Sequence, residues 1–429
     1  VPANTAQPIW ISCSVSTEAV AGHYNSQVWF HLDLLPGEET FCFGLHLEIW
    51  NASIPSLQHS EIGAAWRGLW RPEDFEDYYG TDYWQKNKQK WFELMAKHRT
   101  PPDMVQKYPR PLEDFIAISK MGTRWFCILD ARSYASKQEA GCAAYTDSDL
   151  KVMLDTIEPT WKALKAHGLD EWSYVYGFDE VPSTCEPVLR RVFGAVKRAF
   201  PGLKTMAAIN WPKVASDLPL DVWVLQYQLF DEFGPAASQN WTKTGKELWL
   251  YHCIEPNSMR YLNTFTERPT VQGRLLFWLA ALWEIEYGRP TGWLYYEMNL
   301  WKPCSSPACG PAKKHPIVWE SAGALKETAF TDWPEGNFIW RELDRIFANG
   351  DGQFVYPCTD GPCGGVRLAA LRDGLEDWEL FRQLGRPALP LLRQLVRGAR
   401  DWRADVGRLQ ELRAEAAKML AAKRVEVLI

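Results

Sequence analysis

Two hydrophobic rhythms divide the chain. Between Ile9 and Trp50 lie short apolar stretches with alternation: Val28, Phe30 and Leu32 alternate with Trp29 and His31, and Phe41, Phe43, Leu45, Leu47 and Ile49 repeat the pattern over nine residues. A period of two is that of half-buried strands. Leu35-Pro36-Gly37-Glu38 supplies the turn between them, and Pro55 marks the exit. Residues 1–54 therefore read as a small N-terminal β-sandwich domain, with too few strands to bury a core alone.

Beyond Pro55, short apolar runs alternate with amphipathic stretches, the rhythm of parallel β/α units. Trp84, Trp91, Leu94, Met95 and His98 share one helical face. Leu150, Met153, Ile157, Trp161 and Leu164 form a second stripe, opened by Thr146 or Ser148 as cap. Strands are expected at Ile62–Ala65, Trp125–Leu129, Ser173–Phe178, Thr205–Ile209, Val222–Tyr227, Leu248–Cys253 and Trp293–Met298, with helices at Val188–Phe200 and Val271–Tyr287. With one further unit near Phe115–Ile118 the count is eight strands over about 245 residues, the size of an α/β fold of the (β/α)8 TIM-like type spanning residues 55–350. Residues 351–429 form a C-terminal loop and helical segment. There Leu392, Leu395, Ala399, Trp402, Val406, Leu409 and Ala416 predict one long amphipathic helix, packed on the barrel or on a partner chain, which leaves a homo-oligomer open.

Composition narrows the function. A net charge of -6 argues against a nucleic-acid partner, and no run reaches the ~18 apolar residues of a membrane span, since Leu275–Trp283 is followed by Glu284 and Glu286. The 23 Trp, 16 Tyr and 19 Phe suit stacking on sugar rings, although large cores use the same residues. Ten cysteines include two pairs of equal spacing, Cys304/Cys309 and Cys358/Cys363. Local disulfides, free thiols and a metal site are all readings of these pairs, with metal the weakest because the eight His are scattered. Together with the acceptor patterns at Asn51 and Asn240, the cysteines lean toward a secreted, secretory-pathway or lysosomal location, without excluding the cytoplasm. No cofactor is implied.

In a β/α barrel the reacting groups sit just past the strands. The fourth expected strand, Tyr174-Val175-Tyr176-Gly177-Phe178, runs into Asp179-Glu180 and is closed by Pro182. Consecutive strand residues point to opposite faces, so both acids address one pocket only if the strand breaks there. Gly177 and Pro182 make a break plausible. Glycoside hydrolysis typically needs one protonated carboxylic acid and a second carboxylate. Where the substrate carries a 2-acetamido group, adjacent acids suffice: Glu180 would serve as general acid and then base, while Asp179 would orient the acetamide and stabilise an oxazolinium-like intermediate. An Asp-Glu pair is equally a helix cap with first-turn charge.

The order of four segments, Tyr176–Glu180, Leu248–Cys253 with Pro256 and Asn257, Gly292–Trp301, and Arg367-Leu368 with Leu371–Glu379 after it, resembles glycoside hydrolase family 123 and its relatives. The resemblance extends to Gln7–Trp10, Gly22–Tyr24 and Pro55–Leu57, over most of the chain. It implies a β-sandwich ahead of a catalytic barrel. The implied activity is retaining exo-hydrolysis of terminal β-linked N-acetylgalactosamine by substrate assistance, with the family's Asp-Glu pair falling on Asp179 and Glu180.

Around that pair, Tyr227, Tyr251 and Asn299 at the ends of the sixth, seventh and eighth strands are candidates to hold the substrate. So are Asn210 after the fifth strand, Arg67 after the first, and Trp293 and Trp301 as sugar platforms. Each has a structural alternative in core packing or surface charge. The run Arg372, Asp373, Glu376, Asp377, Glu379 reads as an ion-pair network, and Asp351 as a turn residue, with a loop role at the pocket mouth as the alternative. The alternatives to a β-N-acetylgalactosaminidase are a β-N-acetylglucosaminidase or other hexosaminidase on the same fold, and a non-catalytic glycan-binding protein.

Overall fold

The alternation at the N-terminus produces two eleven-residue strands, β1 (Gly22–Leu32) and β2 (Glu39–Ile49), paired antiparallel from Gly22 opposite Ile49 to Leu32 opposite Glu39. The register brings Val28 opposite Phe43 and Phe30 opposite Phe41, and Phe30 meets Phe43 edge to face at 5.5 Å. The computed structural model describes residues 10–16, 18–32, 39–68, 82–103, 110–139, 141–256, 258–299, 350–358 and 361–427. The expected turn at Leu35–Glu38, Trp301 and the Cys304/Cys309 pair lie outside the described residues. The chain divides into two compact units, Val1–Ile54 with Val406–Ile429, and Pro55–Asp405.

In the larger unit, eight parallel strands form one sheet. They are β3 (Gly63–Arg67), β4 (Pro102–Asp103), β5 (Phe126–Asp130), β8 (Ser173–Asp179), β9 (Lys204–Ala208), β10 (Val222–Gln226), β11 (Glu247–His252) and β12 (Gly292–Tyr295), with the small hairpin β6 (Lys137–Glu139) and β7 (Cys142–Ala144) between β5 and β8. The spatial order β4-β3-β12-β11-β10-β9-β8-β5 is that of a (β/α)8 barrel. Its seam, between β4 and β5, is joined by a side chain: buried Asp103 accepts the Cys127 N–H at 2.9 Å and the Tyr174 hydroxyl at 2.5 Å. Around the sheet run α1 (Tyr83–Lys97), α2 (Leu112–Lys120), α3 (Asp147–Ala166), α4 (Glu186–Ala199), α5 (Phe230–Thr242) and α6 (Val271–Tyr287), with α7 (Val366–Leu384) packed on α6. Thr146 caps α3 in a reciprocal box with Asp149. The charged run on α7 is an ion-pair network: buried Asp377 accepts from Arg274 at 2.6 Å and from the Trp278 indole at 2.8 Å.

The barrel interior is filled by alternate strand residues: Ala65, Cys127, Tyr174, Tyr176, Met206, Ala208, Val222, Val224, Trp249, Tyr251 and Leu294, joined by Trp125. Across the sheet, Trp249 stands in register with Gly292, and Gly292 with Gly63. Both glycines leave room for the Trp249 indole: a Cβ on Gly63 would lie 2.1 Å from that ring, and one on Gly292 2.5 Å. A row of two missing side chains therefore admits the largest one, which then meets Trp125 edge to face at 4.6 Å.

Two expectations are corrected. Phe115 and Ile118, read as a strand, are buried neighbours on α2, and the missing strand is the two-residue β4. The long helix expected from Leu392 to Ala416 is broken. After the antiparallel pair β13 (Val355–Cys358) and β14 (Gly361–Gly364), the chain passes through α7 to a short α8 (Leu389–Leu392). That helix gives way to a tight hairpin of β15 (Val396–Gly398) and β16 (Asp401–Trp402), and only then does α9 (Val406–Val427) begin. The hairpin is anchored from α5, where Asp231 accepts the Ala399 N–H at 2.6 Å. A backbone-binding carboxylate remote in sequence thus overrides a helical stripe.

The Trp249 row yields a direct test. Gly292→Ala is expected to overpack the barrel and lower unfolding free energy by about 1–3 kcal/mol. Urea titration monitored by Trp fluorescence measures it, and an unchanged midpoint would contradict the tight fit.

Candidate active site

Strand β8 carries the two acids, and it does not alternate to its end. Tyr176 pairs with Met206 but Asp179 pairs with Ala208, so three residues on β8 span two on β9: a bulge. Phe178 and Glu180 take up the excess with left-handed backbones, φ 62° and 53°. For residues with a Cβ this costs on the order of 1–2 kcal/mol each. The conformation is held by the Glu180 N–H donating to Ala208 O at 2.8 Å and by Phe178 packing on Phe193 of α4 at 5.3 Å. Regular alternation after Tyr174 and Tyr176 would send Phe178 into the barrel. The bulge turns it into the helix layer and gives its place to Asp179, whose Oδ1 accepts the Tyr176 hydroxyl at 2.7 Å. Gly177, expected to allow a break in the strand, lies within the bulge and also permits close approach: a Cβ there would lie 3.1 Å from Ala131 Cβ.

The two acids now share one cleft of about 550 Å³ but not one environment. Asp179 is ion-paired: the Arg132 Nη1 donates to its Oδ2 at 3.0 Å, while the same guanidinium grips Asp130 at 2.8 Å. Glu180 is flanked by a neutral donor. The Tyr251 hydroxyl donates to its Oε1, and Asn210 Nδ2 donates to that hydroxyl at 2.8 Å. Burial pushes the Glu180 carboxyl above its ordinary range, opposed by the Tyr251 hydrogen bond and reinforced by the negative charges of Asp179 and Glu255. Adjacent acids are thereby differentiated, one in an ion pair and one biased toward its neutral form.

A second polar group occupies the C-terminal ends of β3 and β12. Arg67 donates to Glu297 through Nε at 3.0 Å and also through Nη2, with the guanidinium 5.8 Å from the Tyr296 ring centre. The Tyr295 and Tyr296 hydroxyls each donate to buried Asp351 at 2.8 Å. Burial raises the Asp351 carboxyl to about 6. Cys253, just past β11, lies within electrostatic reach of Asp351, Glu180 and Glu255; burial first, then these charges, pushes its thiol well up. His252 is no acid or base candidate, since complete burial lowers it to about 3.

Of the residues proposed from sequence, Asp179, Glu180, Tyr251 and Asn210 come together, and Arg67 stands with Glu297. Tyr227 does not join them: fully buried, it donates its hydroxyl to Leu262 O at 2.6 Å. Trp293 is core, its indole N–H on His252 Nδ1 at 3.2 Å and its ring against Phe277 of α6. Asn299 is buried in a bridge to Gln353. Sequence reading missed Arg132, Tyr176, Glu297 and Tyr296 as site residues. Arg132 lies two residues past a strand ending in Asp130 and was accessible to the strand-end rule; Glu297 becomes visible only through its pairing with Arg67 across the sheet. Among the described residues no cluster of three His, Cys, Asp or Glu side chains is arranged to hold a metal ion, and no helix is long and apolar enough to cross a membrane.

The family model of the glycoside hydrolase 123 catalytic domain matches residues 86–384. Among solved structures, the chain is similar to a family 123 glycoside hydrolase from Clostridium perfringens, described for glycolipid glycan hydrolysis, with 12% identity over 96% of this chain and 78% of that one and a TM-score of 0.57. A putative β-galactosidase from Bacteroides fragilis (11% identity, 65% of this chain and 50% of that one, TM-score 0.35) and a β-D-glucuronidase of Dictyoglomus thermophilum (10%, 54% and 44%, TM-score 0.28) align too loosely to carry an argument. No curated protein matches. The first neighbour supports the fold alone, whereas the family model spans well over half of the chain and encloses β8 with its two acids: this chain belongs to glycoside hydrolase family 123.

Proposed function

We propose that the protein is a retaining exo-β-N-acetylgalactosaminidase that uses the substrate's own acetamido group as nucleophile. The observation that carries this reading is the pair of consecutive carboxyls in one cleft with opposed environments. Asp179, with Oδ1 held by Tyr176 and Oδ2 by Arg132, accepts the acetamide N–H and turns the carbonyl oxygen toward the anomeric carbon. That oxygen attacks C1 as the glycosidic bond breaks, and Glu180 gives its proton to the leaving oxygen. With Oε1 engaged by Tyr251, Oε2 carries the transferred proton. The resulting Glu180 carboxylate then takes a proton from the water that opens the oxazolinium ring at C1, which returns the acetamide and leaves the β configuration retained. Tyr251 and Asn210 position Glu180; Arg67, braced by Glu297, is the candidate grip for sugar hydroxyls. A glycolipid glycan, the substrate in the neighbour's description, is a candidate natural source of the sugar. The disulfides Cys142–Cys185 and Cys358–Cys363 support an oxidising, secretory location.

Glu180→Gln is expected to lower kcat/KM by about 10²–10⁴-fold on alkyl or glycosyl N-acetylhexosaminides. Substrates with strongly acidic phenol leaving groups should suffer far less, and equal losses would argue against an acid role. Asp179→Asn should cost about 10²-fold or more on both substrate types, because the oxazolinium charge is then unsupported. Galacto and gluco epimers of one aryl N-acetylhexosaminide decide the sugar: preference for the gluco epimer would replace the present reading with a β-N-acetylglucosaminidase, and inertness of both would overturn it.

The pH profile is set by the same hydrogen bond. Glu180 must be protonated to act, so kcat/KM falls as pH rises through its raised pKa. The Tyr251 hydroxyl favours the charged form, so Tyr251→Phe is expected to move this alkaline limb to higher pH while lowering the maximum. A limb that stays in place or moves down would show that another group controls it.

A further inference from the structure

The cleft that takes in Asp179 and Glu180 continues beyond the acetamide position at Asp179. None of Tyr251, Asn210, Arg67 or Glu297 lines it. Its outer wall comes from the segment after β5 and from the β6–β7 hairpin, through Ser136, Lys137, Gln138 and Ala143. Tyr251 approaches Glu180 from β11, three strands round the barrel from β8, whereas this wall belongs to the connection between β5 and β8. A group bound here reaches Glu180 from the β5–β8 sector of the barrel, apart from the β11 sector that supplies Tyr251.

The wall is built to keep its place. Ser136 Oγ donates to Asp149 at 2.6 Å, tying the start of the hairpin to the cap of α3. Cys142 on β7 is joined to Cys185, five residues past Glu180, so the hairpin is covalently tied to the segment that carries the acid. The wall is also charged. The carboxylates among the lining residues are the catalytic pair alone, and Arg132 already faces Asp179. Lys137 adds an exposed ammonium on the outer wall beside the amide of Gln138 and the hydroxyl of Ser136, with no exposed aromatic platform among these residues. Three N–H donors on a point charge suit the oxygens of a carboxylate or sulfate better than a neutral hydroxyl.

We propose that this cleft is the leaving-group subsite and that it selects a saccharide bearing an anionic group, held by Lys137 on the β6–β7 hairpin. The proposal rests on the reading of Asp179 and Glu180 as hexosaminidase acids and adds the identity of what departs.

The test uses the whole chain and three disaccharides with one non-reducing β-linked N-acetylhexosamine, joined to a neutral hexose, to a hexuronic acid or to a sulfated hexose, with an aryl N-acetylhexosaminide as control. The wild-type protein should favour at least one acidic disaccharide over the neutral one, and the acid it favours identifies carboxylate or sulfate as the group. That kcat/KM ratio should drop about fivefold in Lys137→Ala, fall further in Lys137→Glu, persist in Lys137→Arg, and shrink as salt is raised. A wild-type protein that does not discriminate, or variants in which acidic and neutral substrates fall together, would overturn the subsite while leaving the hexosaminidase reading intact. Failure of the wild-type protein to turn over the aryl control and all three disaccharides would instead remove the hexosaminidase reading, and the subsite with it.

Discussion

One extra residue at the end of β8 sets the geometry of the candidate active site. Neighbouring side chains on a strand are turned to opposite faces by the pleat, and no choice of side chain alters that. Only a change in the backbone brings two consecutive carboxyls into one cleft, and here it takes the form of a bulge with Phe178 and Glu180 in the left-handed region. The surrounding fold over-determines that conformation. Phe178 is buried against Phe193 and Tyr145, and the Glu180 N–H is used by Ala208 of the adjacent strand. Local strain at a reacting centre persists when its neighbours hold it, and this segment has neighbours on the helix side and on the strand side.

The barrel that holds the bulge is solid. Its interior is closed by Trp249 lying where Gly63 and Gly292 have no side chains, and its seam is joined by the Asp103 carboxylate in place of a longer strand. This bears on the excess of tryptophan. Trp66, Trp91, Trp223, Trp241, Trp249, Trp278, Trp293 and Trp378 are all fully buried, wedged between strands and helices or within the barrel. Among the described residues most tryptophans are therefore core volume. The site's polar character comes instead from tyrosines: Tyr176 and Tyr251 project from the interior layer and place their hydroxyls on Asp179 and Glu180.

The β/α rhythm and the acid pair were legible in sequence because they depend on local periodicity and on the residue types directly past a strand end. The strands at Trp125–Leu129, Ser173–Phe178, Thr205–Ile209, Val222–Tyr227 and Leu248–Cys253 are found within a residue or two of their expected bounds. What failed depended on partners distant in the chain. β4 has two residues and no pattern, and exists through pairing with β3. The stripe from Leu392 to Ala416 is periodic enough for a helix, yet Asp231, some 168 residues from Ala399, captures the backbone there. Trp293 was a sugar-platform candidate as an aromatic residue of the eighth strand; only the position of Phe277 on α6 shows that it faces the helices. The disulfide between Cys142 and Cys185 joins cysteines 43 residues apart, a pairing that spacing alone does not single out.

Two carboxyls near the barrel mouth, Asp351 buried and Glu180 exposed at the cleft, show why a raised pKa does not by itself identify the acid. Burial raises both Asp351 and Glu180. Asp351 lies wholly below the surface with one oxygen on the Tyr295 hydroxyl and the other on that of Tyr296. A carboxyl so enclosed cannot meet a glycosidic oxygen; its role is to fix two tyrosines, one of which lies beside Arg67. Glu180 lines the cleft, with one oxygen steadied by Tyr251 and an ion-paired carboxylate as its chain neighbour. Access and a fixed neighbour distinguish the proposed proton donor from the scaffold, and both trace back to the bulge that turned Glu180 toward the cleft.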